Sequence, residues 1–393
     1  MRRCCLAIAG TLLSVGGLGC GEPPSSSSSY TGPPLSSAAV VLLNNLQVSG
    51  LGRIEVDGRM IEAPDIALGT DPALATSREK YFALVRDQSV VHEFDPATLL
   101  FTRKFVPYEK SELTDTKVLP CKLEVSGINP QDAAFDADGR LWVTRYERPT
   151  VAILEPDGSF SGTVDLSAFA DADGVPEAMG VHVAGDRVYV ALERLDRCGG
   201  WLPSGPGQIV EIDVATRTVV KSIELGGGNP FGRLVPAPWD SSGNTVVVAL
   251  PGDPRHIDDG DAVAMIDLAT GVAKGFLRET DLGGSVSEAI LAAPDEAYVI
   301  VLDSNDPVAT PTSVLRVNPE TGEVKAKVLD SHSASNPGGG YCHRGLAVVG
   351  EHVLVGSKEP CDVGVVVVDR ASVEQVGVIR PAKLPPIAIQ ASP

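Results

Sequence analysis

One short phrase recurs seven times along the 393 residues: one or two β-favouring residues, an acidic or amide residue, then a tight turn. It reads Val56-Asp57-Gly58, Phe94-Asp95-Pro96-Ala97-Thr98, Leu154-Glu155-Pro156-Asp157-Gly158, Ile212-Asp213-Val214-Ala215-Thr216, Ile266-Asp267-Leu268-Ala269-Thr270-Gly271, Val317-Asn318-Pro319-Glu320-Thr321-Gly322 and Val368-Asp369-Arg370-Ala371-Ser372. From Asp57 to Asp369 the mean step is 52 residues. A fixed period of that size marks a repeat architecture, in which no unit can bury its apolar face alone.

Each period divides into four short strands. Runs such as Leu141-Trp142-Val143-Thr144, Val188-Tyr189-Val190-Ala191, Tyr298-Val299-Ile300-Val301 and Val353-Leu354-Val355-Gly356 precede the repeated phrase and have β-branched and aromatic strand character. A small-residue strand lies before each, as in Asp132-Ala133-Ala134-Phe135 or Arg344-Gly345-Leu346-Ala347, and a fourth strand follows the acidic turn, as in Thr218 to Ile223. Four antiparallel strands per period describe a propeller blade. Few aromatic residues (5%) with 41 Gly and 30 Pro fit an all-β chain with many turns.

Six full blades can be read from Pro72 to Arg380, whereas Ala39 to Leu68 provides only three outer strands of a seventh. Pro385-Pro386-Ile387-Ala388-Ile389 has the pattern of the missing inner strand. The expectation is an all-β, seven-bladed β-propeller in which the C-terminal strand completes the N-terminal blade, leaving no open edge.

The N-terminus reads as a targeting segment: Arg2 and Arg3 precede an apolar run, Leu6 to Leu18, too short to span a bilayer. The run ends in Gly17-Leu18-Gly19-Cys20, which resembles a bacterial lipobox with Gly17 where Leu is usual. That resemblance implies a signal peptide over 1–19, lipidation of Cys20, and attachment to a lipid bilayer by acyl chains such as palmitate. Gly21, Pro23, Pro24 and Ser25 to Ser29 continue into a Ser/Pro/Gly-rich stretch that reads as a flexible tether over 20–37, with the propeller over 38–393. Gly21 after Cys20 lacks the aspartate that signals inner-membrane retention in some lipoproteins, which points to the outer membrane of a cell envelope. The formal charge of −19 argues against nucleic acid as a partner.

The chain also resembles the YVTN-type β-propeller repeat family, whose blades read Tyr-Val-Ala and then Val-Ile-Asp-x-Ala-Thr-Gly. Val188-Tyr189-Val190-Ala191 and Met265-Ile266-Asp267-Leu268-Ala269-Thr270-Gly271 carry the likeness, while Leu192, Leu250 and Leu302 stand where that family usually has Asn. The resemblance implies the fold and an exported setting and leaves the activity open.

In a four-stranded blade the first-to-second and third-to-fourth turns emerge on one face, and the second-to-third loops and blade-to-blade links on the other. The first group is short throughout. The second holds the long segments Pro107 to Ile128, Glu193 to Gly207, Pro251 to Asp261, Asp303 to Thr312 and Asp330 to Cys342. Cys121, Cys198, Cys342 and Cys361 all fall in it, and their spacing lacks the close pairs of a zinc site. An even number outside the leader suggests two disulfides, Cys342 with Cys361 inside one blade and Cys121 with Cys198 across neighbours. Long loops pinned on one face of a regular scaffold mark that face as the working surface.

Aligned inner strands place Asp132, Glu177, Arg233, Glu288 and Arg344 at equivalent positions near the channel mouth. One reading is a site for a small polar ligand or a cation, with Asp132, Glu177 and Glu288 as oxygen ligands and His343 as acid or base. The other is a solvated pore whose arginines and acids neutralise one another. Asp258, Asp259, Asp261, Asp303 and Asp306 on neighbouring loops form a second candidate set for calcium, without the ligand spacing of an EF-hand. His332, Tyr341 and His343 flank Gly338-Gly339-Gly340, a glycine run that lacks the following helix a phosphate loop needs.

There is no Gly-x-Ser-x-Gly elbow and no His-Glu-x-x-His. The function expected is therefore a membrane-anchored binding or interaction module acting through the loop-rich face on a protein or small polar ligand. The alternative is a metal-dependent hydrolase or lactonase using the channel-mouth carboxylates.

Overall fold

A computed structural model of the chain describes residues 25–27, 30–64, 67–253, 256–257, 259–303, 311–332 and 341–392. The strands form seven four-stranded antiparallel blades around a central channel, one of them extended by a fifth, outermost strand. Going outward, blade 2 is Pro72–Ser77, Lys80–Val85, Val90–Phe94 and Phe101–Phe105. Blades 3 to 7 repeat the plan from inner strands Pro130–Phe135, Ala178–Ala184, Phe231–Pro236, Gly284–Ala293 and His343–Val349.

Blade 1 is assembled from both ends of the chain. Pro386–Ala391 supplies its inner strand and pairs antiparallel with Ala39–Asn44, matching Val41 to Ile389 and Val40 to Gln390. Ser49–Ile54 and Met60–Glu62 follow outward. The closure expected from the missing inner strand is thus the closure found. The stretch read as a tether lies partly on this blade, with Ser25–Ser27 paired to Met60–Glu62 and Leu35 buried.

Strand alternation explains why the ring holds. Side chains at successive positions point to opposite faces of a blade, and each face packs on a different neighbour. Val40 and Leu42 join Leu74, Tyr81 and Phe94 in the core between blades 1 and 2. Ala39, Val41 and Leu43 join Val349, Leu354 and Val367 between blades 1 and 7. The remaining cores sit between the other adjacent blades in the same way. Seven interfaces carry seven cores, so each blade is buried on both faces and its middle strands read as nearly continuous apolar runs.

The repeated phrase makes the outer hairpin turn. Asp213 Oδ1 accepts the N–H groups of Ala215 and Thr216 at 3.1 and 2.8 Å and the Thr216 hydroxyl at 3.0 Å. Asp95, Asp267, Asn318 and Asp369 act alike. This is local side-chain capping of a turn by a short acceptor. The position that closes these turns has left-handed backbone: Gly271 and Gly322 occupy it in two blades, and Leu99, Arg217 and Val373 in three others. In blade 3 the capping carboxylate is Asp157, two residues after the aligned Glu155.

The opposite face carries the long loops, two of which contain hairpins of their own, Lys117–Val118 with Glu124–Val125 and Leu195–Asp196 with Leu202–Pro203. Disulfides join Cys121 to Cys198 and Cys342 to Cys361, with Cα separations of 5.5 and 5.7 Å. Both pairings are those the loop sorting predicts.

Candidate functional site

The inner strands enclose a channel of about 440 Å³, with a wall that is largely aliphatic from Leu42, Leu74, Leu346, Val348, Ile387 and Ile389. Each inner strand starts at the loop-rich face, so residues at strand starts ring that mouth. Asp71, Arg86, Gln131, Tyr341 and Arg344 gather there. Arg86 pairs with Asp71 and donates to Gln131 Oε1 at 2.8 Å, so its charge is already answered.

The five aligned ring residues separate into three situations. Arg233, Glu288 and Arg344 line the channel. Asp132 is buried behind it: its carboxylate accepts the N–H groups of Ala133 at 2.9 Å and Val181 at 3.0 Å, and Arg233 Nε at 3.1 Å. Burial pushes the Asp132 carboxyl up, and Arg233 and the two backbone donors pull it back. Arg233 starts on blade 5 and also reaches Gln390 of blade 1 and the Thr76 carbonyl of blade 2. Its guanidinium therefore crosses the channel and ties blades 5, 3, 2 and 1 together.

Glu177 is fully buried and turned away from the channel. It accepts Arg197 Nε at 2.7 Å and the Leu195 N–H at 2.9 Å. Arg197, itself buried, also pairs with Glu147, donates to the Tyr146 carbonyl at 3.0 Å and lies against the rings of Tyr146 and Trp201. Burial lifts the Glu177 carboxyl to about 8 in spite of Arg197. Nearby Glu193 accepts the Tyr146 hydroxyl at 2.6 Å and burial lifts it to about 7. With Lys117 Nζ on the Asp173 carbonyl at 2.7 Å and the Cys121–Cys198 bond, this network fixes the long loops over blades 3 and 4.

Glu288 is the acid that does face the channel. Its two oxygens accept the N–H groups of Gly345 and Leu346, each at 2.8 Å. Enclosure by protein pushes its carboxyl up to about 7, although both donors and Arg344 favour the charged form. Arg344 donates from Nε to the Tyr341 hydroxyl at 2.9 Å and holds its guanidinium carbon 4.8 Å from the ring centre.

His343 points the other way from its neighbour Arg344, as alternation requires. It is buried against Thr312, with Nδ1 and the hydroxyl 3.0 Å apart, and burial lowers its ring to about 4. It is not among the residues lining the channel. Asp132, Glu177 and Glu288 do not converge on a common point, and among the described residues no three His, Cys, Asp or Glu side chains are placed to hold a metal ion. Asp258, Asp306 and Cys20 lie outside the described residues. Asp259, Asp261 and Asp303 are described and form no such group.

Several residues at or around the site carry no repeat signal: Arg197, Tyr341, Lys358, which lies against the Tyr341 ring, Gln131 and Gln390. The first three sit in irregular loops, and the last two look in sequence like ordinary polar positions of inner strands. Sequence clues exist for Tyr341, which flanks the glycine run, and for Gln390, which follows directly on the run assigned to ring closure.

The fold and its channel define the chain as a seven-bladed β-propeller. Solved structures of similar fold include hydrazine synthase from Kuenenia stuttgartiensis (17% identity, 82% of this chain and 89% of that one, TM-score 0.55). A streptogramin B lyase (10%, 81% and 86%, 0.53) and apo AztD from Citrobacter koseri (14%, 90% and 98%, 0.50) are similar as well. At these identities the likeness is one of fold alone. No protein-family model matches the chain, and no curated protein matches it.

Proposed function

We propose that this chain is an exported, lipid-anchored binding module of the cell envelope, whose central channel takes a small ligand entering from the loop-rich face. The observation that carries the reading is the channel itself. Its volume of about 440 Å³, largely aliphatic wall and limited set of polar groups, several of them gathered at one mouth, are the attributes of a small-molecule site. Two disulfides suit an oxidising compartment, and Cys20 after a short apolar run suits an acyl anchor. The YVTN-type repeat grammar agrees with an exported setting. The metal-dependent hydrolase alternative gains no support from the geometry, because its carboxylates are engaged separately and His343 packs between blades.

The test is a thermal-shift screen of the full chain against a small-molecule library, repeated on Ser287→Trp, which places a large ring in the channel wall. Ligands of the channel should raise the melting temperature of the natural chain and leave the variant unmoved. Hits that stabilise both proteins equally would place binding elsewhere and overturn the reading.

A further inference from the structure

The charged groups around the channel are nearly all paired, in keeping with a chain that carries an excess of acid. Arg233 is matched by Asp132, Arg86 by Asp71, and Arg197 by Glu177 and Glu147. Arg344 at the loop-rich mouth and Lys358, which packs on the mouth residue Tyr341, break this pattern. Arg344 and Lys358 both lie against the ring of Tyr341, each 4.8 Å from its centre. Neither makes an ion pair among the described residues, and the single side-chain hydrogen bond of the set there runs from the Arg344 guanidinium to the uncharged Tyr341 hydroxyl. Glu288, the acid of the wall that feels the charge of Arg344, has both oxygens turned to the Gly345 and Leu346 N–H groups.

Two like charges held together in a half-buried place repel each other, and Lys358 shows it: burial and then Arg344 lower its ammonium. The arrangement is fixed rather than incidental. Lys358 follows the strand His352–Ser357, its N–H bonds the Cys342 carbonyl at 3.0 Å, and the Cys342–Cys361 disulfide clamps the same loop. Arg344 is anchored by the inner strand of blade 7. A preorganised pair of cations beside an aromatic ring, with no ion-pair partner among the described residues, is a receptor for an anion, because the ligand supplies the charge that the protein withholds. Below it the channel wall is aliphatic.

We infer that the mouth formed by Arg344, Lys358 and Tyr341 seats the acidic head of an amphipathic organic anion, a carboxylate or phosphate ester, whose apolar body lies in the channel. This rests on the channel being a binding site and adds the ligand's chemical class. The guanidinium fork of Arg344 meets the head, Lys358 adds a second positive charge, and the wall at Leu346 and Ile387 receives the chain.

The test is calorimetric titration of the full chain with hexanoate, hexyl phosphate, hexanol and hexyltrimethylammonium. Both anions should bind at least about tenfold more tightly than hexanol, and the cation least well. Whichever anion binds more tightly identifies the head group. Arg344→Gln should reduce that preference to near unity, and Lys358→Gln should weaken the anions about threefold, with hexanol unchanged in both. Hexanol binding as tightly as the anions, with both variants silent, would overturn the anion assignment while leaving the channel reading intact. Failure of the whole series, while library hits still distinguish Ser287→Trp from the natural chain, would also overturn the assignment alone. Failure of both would remove the channel reading with it.

Discussion

Raising the pH from 5 to 8.5 should weaken this fold through Glu288, and the sign follows from its surroundings. An unfolded glutamate titrates near 4.5, whereas Glu288 in the folded channel is pushed up to about 7, burial outweighing its two backbone donors and Arg344. Between those values the folded chain holds a proton that the unfolded chain has lost. Stability therefore falls as pH rises through that window and levels off above it. A displacement of about 2.5 units at roughly 1.4 kcal/mol per unit gives about 3 kcal/mol, an upper figure because water in the channel screens the charge. Glu288→Gln removes the titration while keeping the size. Its amide faces one of the two N–H donors with another donor, a pH-independent loss of about 1–3 kcal/mol. Urea unfolding at pH 5 and pH 8.5 separates these effects: the variant should be the less stable protein at pH 5 and should gain about 2 kcal/mol on the natural chain by pH 8.5, since part of the titration already lies below pH 5. Glu177 and Glu193, lifted to about 8 and about 7 by burial, slope both proteins alike and cancel in the comparison. A stability difference between the two proteins that stays constant across this range would refute the reasoning.

Two further outcomes follow from the architecture. Deleting Leu384 to Pro393 removes the inner strand of blade 1, its ladder to Ala39–Asn44 and buried Ile389, a loss of about 5 kcal/mol or more; an unchanged melting temperature would contradict ring closure by this strand. Replacing Cys121 and Cys198 by Ser should cost about 4.5 kcal/mol, and replacing Cys342 and Cys361 about 3 kcal/mol, since the bonds close segments with separations of 77 and 19 residues. Chemical denaturation of the two double variants checks the order, and an equal or reversed ranking would show that the loops come loose without unfolding the ring.

The ring was legible because its cause is periodic. Burial on two faces forces alternate residues such as Val40 and Val41 into different cores, and that requirement writes apolar runs at a constant step. The disulfides were legible because sorting loops by face leaves few geometrically sensible partners. Aligning inner strands found Glu288, Arg233 and Arg344, which line the channel. It also set Glu177 beside them, although that side chain turns to Arg197, a residue of a loop hairpin inserted between two strands of blade 4. No repeat rule specifies a contact of that kind. The reach of Arg233 to Gln390 depends in turn on how tightly the ring curves. Even the repeated turn hides variation: Asp157 replaces Glu155 as its cap, and Leu99, Arg217 and Val373 accept a backbone conformation that glycine holds elsewhere.

Because Pro386–Ala391 is the innermost strand of the blade that also holds Ala39–Asn44, the ring cannot close until that strand has been made. Every shorter product is an open arc, with the core between blades 1 and 7 stripped of Ile389 and the Ala39–Asn44 edge unpaired. Ring closure thus waits on this one strand, and a chain interrupted before it announces itself to proteases and chaperones by the edge it leaves exposed.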